Sequence, residues 1–325
     1  MELHVGCAMW THAAWQGRHL PGHRPLPSRE RLRAYAGLCN AVEGNTTFYA
    51  TPSRETVATW AEQTPADFRF VLKLPRTVTH EGRLGDVDAP LRSFLTAIEP
   101  LGPRAHALWV QLPPSFGPGG LDALAGFLRR LRKNYGVRER IAVEVRHRAF
   151  FEDERWRERL ERLLAADGAD SVGEDSVGAG GVDEAGGAGG VDGAGGAGGR
   201  CGAEWVDLDT TVLYATEPTT ADEREAWAKK PRLPRRMRAL TDHPIVRYIA
   251  RDDVELTVEG WQPWIETVAG WLREGRSPTF FLHTPDNVEA PALARRFHAA
   301  VRAVVPELAP LPEPAAAPAT QETLF

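Results

Sequence analysis

Charged side chains stand at the ends of short apolar runs at five points of the sequence. Glu43, Lys73, Glu144, Arg146 and Arg247 each close, or directly follow, a run of strand-forming residues. An unpaired charge beside such a run is costly in a protein interior. We therefore expect these side chains either to pair with one another or to face a wet cavity. An ion-pair network that holds no ligand is the alternative interpretation.

The residue types define what chemistry such a cluster could perform. Glu43 and Glu144 could act as acid and base, or could bind a divalent cation. Lys73, if its pKa is lowered, could serve as a base or form a Schiff base. Arg146 and Arg247 suit bidentate binding of phosphate or carboxylate. Because three of the five side chains are cationic, an anionic ligand is the simplest fit.

Further polar residues near the predicted strand ends extend this candidate site. The expected ligand-binding positions, besides Arg146 and Arg247, are Asn45, Tyr49, His80, Gln111, His283 and Asp286. The histidines come from separate segments of the chain, so a metal centre is only weakly indicated. We predict no cofactor, and a divalent metal stays open as an alternative.

Short apolar runs alternate with amphipathic stretches along most of the chain. Strands are predicted at residues 3–7, 40–44, 68–73, 106–111, 141–146, 205–208, 245–249 and 279–283. Helices are predicted at residues 29–38 (capped by Ser28), 53–60, 91–98, 121–134, 153–166, 221–229, 260–273 and 291–304. Eight strand–helix units of this size indicate an α/β fold, a (β/α)₈ TIM-like barrel. A doubly wound open sheet is the alternative.

Composition divides the chain into a barrel domain and two appendages. Residues 168–200 are rich in Gly, Ala and Asp and should form a disordered insertion within a barrel domain that spans residues 1–306. Residues 307–325 should form a Pro/Ala-rich tail. The net charge is −5, but residues 168–199 hold six acids and residues 307–325 three. The remaining body is therefore mildly basic, at about +4.

The sequence also bounds the compartment. No apolar run is long enough to span a membrane, and the first residues lack a signal-peptide pattern. Cys7, Cys39 and Cys201 are too few and too dispersed for a disulfide framework, and Cys7 with Cys39 should be buried packing residues. We expect a cytoplasmic protein with no membrane contact.

The motifs around these residues resemble one family. Several motifs are similar in type and order to those of the domain of unknown function 72 family, the YecE-like proteins: residues 42–49 (VEGNTTFY), 68–75 (FRFVLKLP), 111–116 (QLPPSF), 143–147 (VEVRH), 229–231 (KKP), 245–247 (IVR) and 281–286 (FLHTPD). The resemblance covers nearly the whole chain apart from the insertion. It implies a TIM-barrel fold and a site at these motif positions, and it implies no particular reaction.

The last five residues, Gln-Glu-Thr-Leu-Phe, resemble the bacterial sliding-clamp-binding motif. In such a motif Gln321 would bond at the rim of a clamp pocket, and Leu324 with Phe325 would fill its apolar floor. We therefore expect a barrel that binds or processes an anionic, phosphate-bearing ligand, with nucleic acid in a repair role as one version, and that is recruited to the clamp. The alternatives are a small-molecule enzyme for a sugar phosphate or carboxylate, and a non-catalytic binding protein. The sequence leaves open whether the protein is an enzyme, with a hydrolase or lyase as the candidates.

Overall fold

Nine parallel strands form the centre of the computed structural model, which describes residues 1–20, 26–137, 140–166 and 202–313. The strands are β1 (His4–Cys7), β2 (Ala41–Gly44), β3 (Arg69–Lys73), β4 (Ala105–Gln111), β5 (Arg140–Glu144), β6 (Ala203–Trp205), β7 (Asp207–Asp209), β8 (Ile245–Ile249) and β9 (Thr279–His283). Their order in the sheet is β6-β5-β4-β3-β2-β1-β9-β8-β7. The two edge strands, β6 and β7, are separated in the chain by Val206 alone. The sheet therefore curls into a nearly closed barrel.

Helices cover the outside of this barrel, as the alternating pattern predicts. They are α1 (Ser28–Ala36), α2 (Thr46–Tyr49), α3 (Arg54–Gln63), α4 (Asp88–Ile98), α5 (Leu121–Lys133), α6 (Ala149–Glu152), α7 (Glu154–Ala165), α8 (Ala221–Lys229), α9 (Val254–Gly260), α10 (Gln262–Arg273) and α11 (Ala290–Val304). Their apolar faces pack against the outward side chains of the strands in one large core. The predicted barrel class is confirmed, and the open sheet is not what forms.

Three predicted elements differ from those observed. The sixth strand, expected as one run over residues 205–208, is divided into β6 and β7. The backbone bends there, because the amide of Val206 bonds to the carbonyl of Val143 while the amide of Leu208 turns back to the carbonyl of Val206. The helix expected over residues 260–273 forms as α10, and a separate helix that was not predicted, α9, precedes it. Ser28 lies inside α1, and Pro27 occupies the cap position without a side-chain bond.

The barrel interior is built in layers, because alternate residues of each strand point inward. A middle layer is small and apolar, and its members are Ala41, Val71, Ala107, Trp109, Ala142, Val206, Ile245 and Phe281. Gly6 on β1 lies at the same level and has no room for a side chain. A Cβ atom there would lie 2.0 Å from the carbonyl oxygen of Ala41 on β2. The apolar layer separates the polar groups at the two ends of the barrel.

The insertion of residues 168–200 falls outside the described residues, and only the chain that flanks it is seen. Helix α7 precedes it and β6 follows it, so it joins the barrel at the amino ends of the strands. The two flanks lie in contact. A Cβ atom on Gly202 would lie 2.6 Å from the carbonyl oxygen of Leu164.

The chain stays packed on the barrel beyond residue 306. Leu308 and Leu311 are buried, and Arg295 of α11 donates hydrogen bonds to the carbonyls of Leu38 and Pro312. Packing thus continues through Leu311, past the boundary expected from composition. Within the described residues, each helix is too short or too polar to cross a bilayer.

Candidate ligand site at the barrel mouth

The carboxyl ends of the strands carry a layer of polar residues directly above the apolar layer. Each member stands two residues beyond an apolar-layer residue on the same strand, so strand alternation aims it at the barrel axis. The members are Glu43, Lys73, Gln111, Glu144, Arg247 and His283. The structure thus brings residues from six strands to one end of the barrel.

Glu43 lies at the centre of this layer and is fully buried. Its Oε1 atom is 2.5 Å from Nζ of Lys73 and 2.9 Å from Nη2 of Arg247. The Nε of Arg247 donates a hydrogen bond of 3.0 Å to the Oε2 atom. Burial alone would raise the pKa of Glu43, but the cations of Arg247 and Lys73 hold that pKa well below its usual range. Glu43 is therefore ionised at neutral pH.

Glu144 forms a second buried carboxylate, on β5. The Nε of Arg146 donates a 2.6 Å hydrogen bond to its Oε1 atom, and Nη1 of Arg247 lies 3.8 Å from its Oε2 atom. Burial opposes ionisation here too, and the neighbouring cations, Arg146 first among them, lower the pKa of Glu144. Neither carboxyl group can thus supply a proton near pH 7. Their role is to hold and orient cations.

Among the side chains that form ion pairs with Glu43 and Glu144, Lys73 is the one whose protonation can change near neutral pH. Its ammonium lies 4.9 Å from the centroid of the Trp109 ring, in the apolar layer below. Burial and the nearby guanidinium of Arg247 lower the pKa of Lys73 to about 8, although Glu43 and Glu144 act in the other direction. Thr47 of α2 holds the backbone of Lys73, because its Oγ1 donates a hydrogen bond of 2.7 Å to the carbonyl of Lys73.

A cavity of about 550 Å³ opens above these residues, and we call it the mouth cavity. Its lining includes five cationic side chains. Of the two buried carboxylates, Glu43 lines the cavity and Glu144 does not. The cations are Lys73, Arg146, Lys229, Lys230 and Arg247. Trp10, Phe48 and Tyr49 form an aromatic wall on another side, and Tyr49 is mostly exposed. The cavity therefore combines a positive floor with an apolar flank, and its size suits a small molecule.

Most of the other predicted site residues also line this cavity. They are Asn45, Tyr49, Gln111 and His283. The side-chain amide of Asn45 donates to the carbonyl of Ala8 at 2.7 Å, which ties the β2 loop to the end of β1. The Oε1 atom of Gln111 is buried and without a hydrogen-bond partner among the described residues. It is thus available to a ligand.

Two predicted residues lie beside the cavity without lining it. His80 packs edge-on against Phe48, and its Nδ1 lies 2.9 Å from Oγ1 of Thr79. The carboxylate of Asp286 accepts hydrogen bonds from the amide of Val288 and the hydroxyl of Thr284, so it closes the turn after β9. Gln321, Leu324 and Phe325 lie outside the described residues.

Sequence reasoning missed Lys229 and Lys230 as site residues. Lys229 ends a helix, α8, and Lys230 follows it, so a search of strand ends does not find them. Their adjacency to a proline in the sequence Lys-Lys-Pro was the available signal.

In the described part of the chain, no three His, Cys, Asp or Glu side chains are grouped so that they could hold a metal ion. Cys7 and Cys39 are buried and unpaired, as expected.

The fold and this mouth define a class: a parallel (β/α) barrel with buried ion pairs and a cation-lined cavity at the carboxyl ends of its strands. Residues 4–318 match the sequence profile of the family described as protein of unknown function DUF72, and the chain belongs to that family. The UPF0759 protein YecE of Escherichia coli, from strains K12 and O157:H7, is 33% identical over 312 residues. That match covers 95% of this chain and 96% of YecE.

Solved structures of the same family share the fold. A DUF72 family protein of Thermotoga maritima superposes with a TM-score of 0.60 at 21% identity, over 92% of this chain and 98% of that one. A DUF72 family protein of Enterococcus faecalis gives a TM-score of 0.60 at 15% identity, over 92% and 95%. The predicted family resemblance is thereby confirmed.

Proposed function

We propose that the barrel mouth binds a small anionic ligand through a phosphate or carboxylate group. The observation that carries the proposal is the imbalance of charge in the cavity lining, which includes five Lys and Arg side chains but one carboxylate, that of Glu43. A cavity with this excess attracts anions, and its arginines can bind phosphate oxygens in pairs.

The hydrogen-bonding capacity left over in the mouth supports a ligand in addition to an internal ion-pair network. Among the described residues, Nη1 of Arg247 and Oε1 of Gln111 are buried without a hydrogen-bond partner. Buried polar atoms of this kind are costly unless something bonds to them. A phosphate oxygen accepts from a guanidinium, and a ligand hydroxyl donates to an amide oxygen. A hydroxylated phosphate, such as a sugar phosphate, satisfies both.

In this proposal each group has a defined role. Arg247 and Arg146 hold the anion, and Glu43 and Glu144 fix the two guanidinium groups in position. Lys73 is available for proton transfer, because its pKa of about 8 lies near neutral pH. Trp10 and Tyr49 would contact the uncharged part of the ligand. If the protein binds its ligand without turnover, the same residues hold the ligand, and Lys73 transfers no proton.

Calorimetric titration of the full chain with ribose 5-phosphate tests this proposal. We expect saturable binding that weakens at least tenfold in Arg146→Gln and in Arg247→Gln, which corresponds to about 1.4 kcal/mol or more. The matched control is Arg232→Gln, which removes an exposed guanidinium outside the cavity. Ribose without phosphate should not bind. The proposal is overturned if ribose 5-phosphate, inorganic phosphate and citrate all give no binding at millimolar concentration.

We also propose, from the order of residues alone, that the segment Gln321–Phe325 binds the sliding clamp. Fluorescence anisotropy of a labelled peptide of residues 314–325 against purified clamp is the test. Binding that is lost in Phe325→Ala supports recruitment. Absence of binding at high micromolar clamp, or binding equal in the variant, removes recruitment and leaves the proposal for the mouth untouched.

A further inference from the structure

Lysine is rare in this chain, and its few positions are concentrated. Of 39 basic residues, 35 are arginine and four are lysine: Lys73, Lys133, Lys229 and Lys230. Three of these four line the mouth cavity. Outside the cavity, every basic residue other than Lys133 is an arginine. Arginine remains protonated in proteins, whereas an amine can lose its proton. The cavity is thus where the chain retains groups that can become neutral and nucleophilic.

The two buried lysines of the cavity have opposite surroundings. Lys73 is held as an ammonium against Glu43 at 2.5 Å. Lys230, at the carboxyl end of α8, has no carboxylate within ion-pair distance among the described residues. The ionisable groups that act on it come from four strands and from the segment after β5, and they are Arg247, Glu43, Lys73, Arg146 and His283. Three of them are cations, so a positive charge on Lys230 is repelled.

The position of Lys230 is fixed by its backbone. The hydroxyl of Tyr214 donates to the carbonyl of Lys230 at 2.5 Å, and the hydroxyl of Thr210 donates to the carbonyl of Pro231 at 2.9 Å. The amide of Lys230 closes the last turn of α8 through the carbonyl of Ala226. The backbone of Lys230 is thus held at the edge of the cavity that its side chain lines, which limits how far the amine can lie from a bound ligand.

We propose that Lys230 is the reactive amine of the mouth and forms an imine with the carbonyl carbon of an anionic aldehyde or ketone. The inference rests on the proposed function, since the same arginines hold the anionic group of that ligand. It narrows the ligand class from anions in general to anions that carry a carbonyl group.

The step is balanced without any further reagent. The lone pair of the neutral amine forms a bond to the carbonyl carbon, and the carbonyl oxygen takes one proton from the nitrogen to give a carbinolamine. The hydroxyl then leaves with the second nitrogen proton as one water molecule, and a carbon–nitrogen double bond remains. Burial and the charge of Arg247 lower the pKa of Lys230 to about 7, so the neutral amine is available.

Borohydride trapping with pyridoxal 5′-phosphate tests the inference, because this probe is an anionic aldehyde. At pH 7 roughly half of Lys230 is neutral, against roughly one in several thousand for an ordinary lysine. We expect mass spectrometry of the digested protein to find at least tenfold more label on Lys230 than on Lys229 or Lys133 in the same molecule. Pyridoxal, which lacks the phosphate, should label Lys230 at least tenfold less.

Two variants separate this inference from the binding proposal. Lys230→Arg replaces the amine by a guanidinium that cannot form an imine, so it should abolish the trapped adduct, while inorganic phosphate, which has no carbonyl group, should still bind through Arg146 and Arg247. Lys229→Arg is the matched control and should leave labelling of Lys230 unchanged. Label spread evenly over the lysines, or found on Lys73, overturns the imine. Binding of ribose 5-phosphate without labelling of Lys230 overturns the imine alone, whereas absence of both overturns the two proposals together.

Discussion

The two ends of the barrel contain different kinds of buried polar group. At the carboxyl end, the side chains are charged, paired across short distances and in contact with a cavity. At the amino end, His4 and His106 lie with ring centroids 5.1 Å apart, and His243 lies 5.7 Å from His106. One ring nitrogen of each is buried without a hydrogen-bond partner in the described structure. Buried ion pairs thus stand at the carboxyl end, and a cluster of buried histidines stands at the amino end.

The pKa values of these histidines explain that difference. Burial first, and then the nearby cations Arg69 and Arg140, lowers the pKa of His4 to about 3. Burial likewise lowers the pKa of His243 to about 4 and that of His106 well below its usual value. The histidine cluster is thus neutral at physiological pH, whereas the carboxyl end keeps charges that a ligand can use.

The largest expected effect is acid unfolding that begins at the histidine end. An unfolded histidine takes up a proton near pH 6.5, but the folded cluster does not until the pH is much lower, so the stability that the histidines contribute is lost as the pH falls from about 6.5 to 4. Glu204, whose pKa burial raises to about 7, acts in the opposite direction over this range. His4 and His106 should each contribute about 1.4 kcal/mol per pH unit. Urea unfolding across this range measures the slope.

His106→Phe tests the assignment of this slope. It should flatten the slope by the contribution of one histidine. The mouth variant Glu43→Gln should leave the slope between pH 5 and 7 unchanged, because the lowered pKa of Glu43 affects stability only as the pH falls below about 4.5. An unchanged slope in His106→Phe would show that the acid sensitivity lies elsewhere.

The next effect distinguishes a ligand site from a closed ion-pair network. Glu43→Gln leaves Lys73 and Arg247 without their shared counter-charge, and removal of one buried partner costs about 3 kcal/mol. If the mouth is a ligand site, sodium phosphate at matched ionic strength should restore part of this loss and should bind more tightly than in the wild type. The control Glu259→Gln changes the same charge at an exposed position. Equal destabilisation with and without phosphate would favour a purely structural network.

A smaller change in the free energy of unfolding at pH 7 is expected when Lys230 is replaced. Its folded pKa of about 7 lies below that of an unfolded lysine, so the unfolded chain holds more protons and stability should rise with pH from 7 to 10. Lys230→Met removes a buried amine and should be as stable as the wild type at pH 7, or about 1 kcal/mol more stable. Lys229→Met should change nothing. A marked loss of stability in Lys230→Met would give this lysine a structural role.

The smallest effect concerns the aromatic wall. Tyr49 is 73% exposed, so Tyr49→Ala should change the free energy of unfolding by less than about 0.5 kcal/mol. It should weaken binding of pyridoxal 5′-phosphate about threefold, because ring stacking is worth roughly 0.5–1.5 kcal/mol. Ribose 5-phosphate, which has no aromatic ring, should be affected less. Equal effects on both probes would argue against stacking.

Local sequence patterns were sufficient for most of the barrel. Strands β8 and β9 have the predicted bounds, because each is an apolar run between turn residues. Strand alternation also explains why Glu43, Lys73 and Arg247 meet, since each follows an inward apolar residue at the strand spacing of two. Family motifs located the same positions independently.

The features that the sequence did not predict depend on contacts between distant segments of the chain. Asp207 and Asp209 lie on a strand, but the sequence does not show that their carboxylates bind Arg236 and Arg235 of an irregular segment about 30 residues further along the chain. Lys230 reaches the mouth because Tyr214 anchors the end of a helix there. Leu311 packs on the barrel although its surroundings are rich in proline. Periodicity contains none of these long-range contacts.

The adjacency of Leu164 and Gly202 makes this edge of the barrel a natural attachment point. The chain departs and returns at one spot, at the end opposite the mouth, so the length of the connection has little influence on the fold. A short linker, a fluorescent domain or a surface tether could replace residues 167–201 while the cavity stays turned toward solvent. Immobilised through that spot, the protein would present every copy of its mouth in the same orientation.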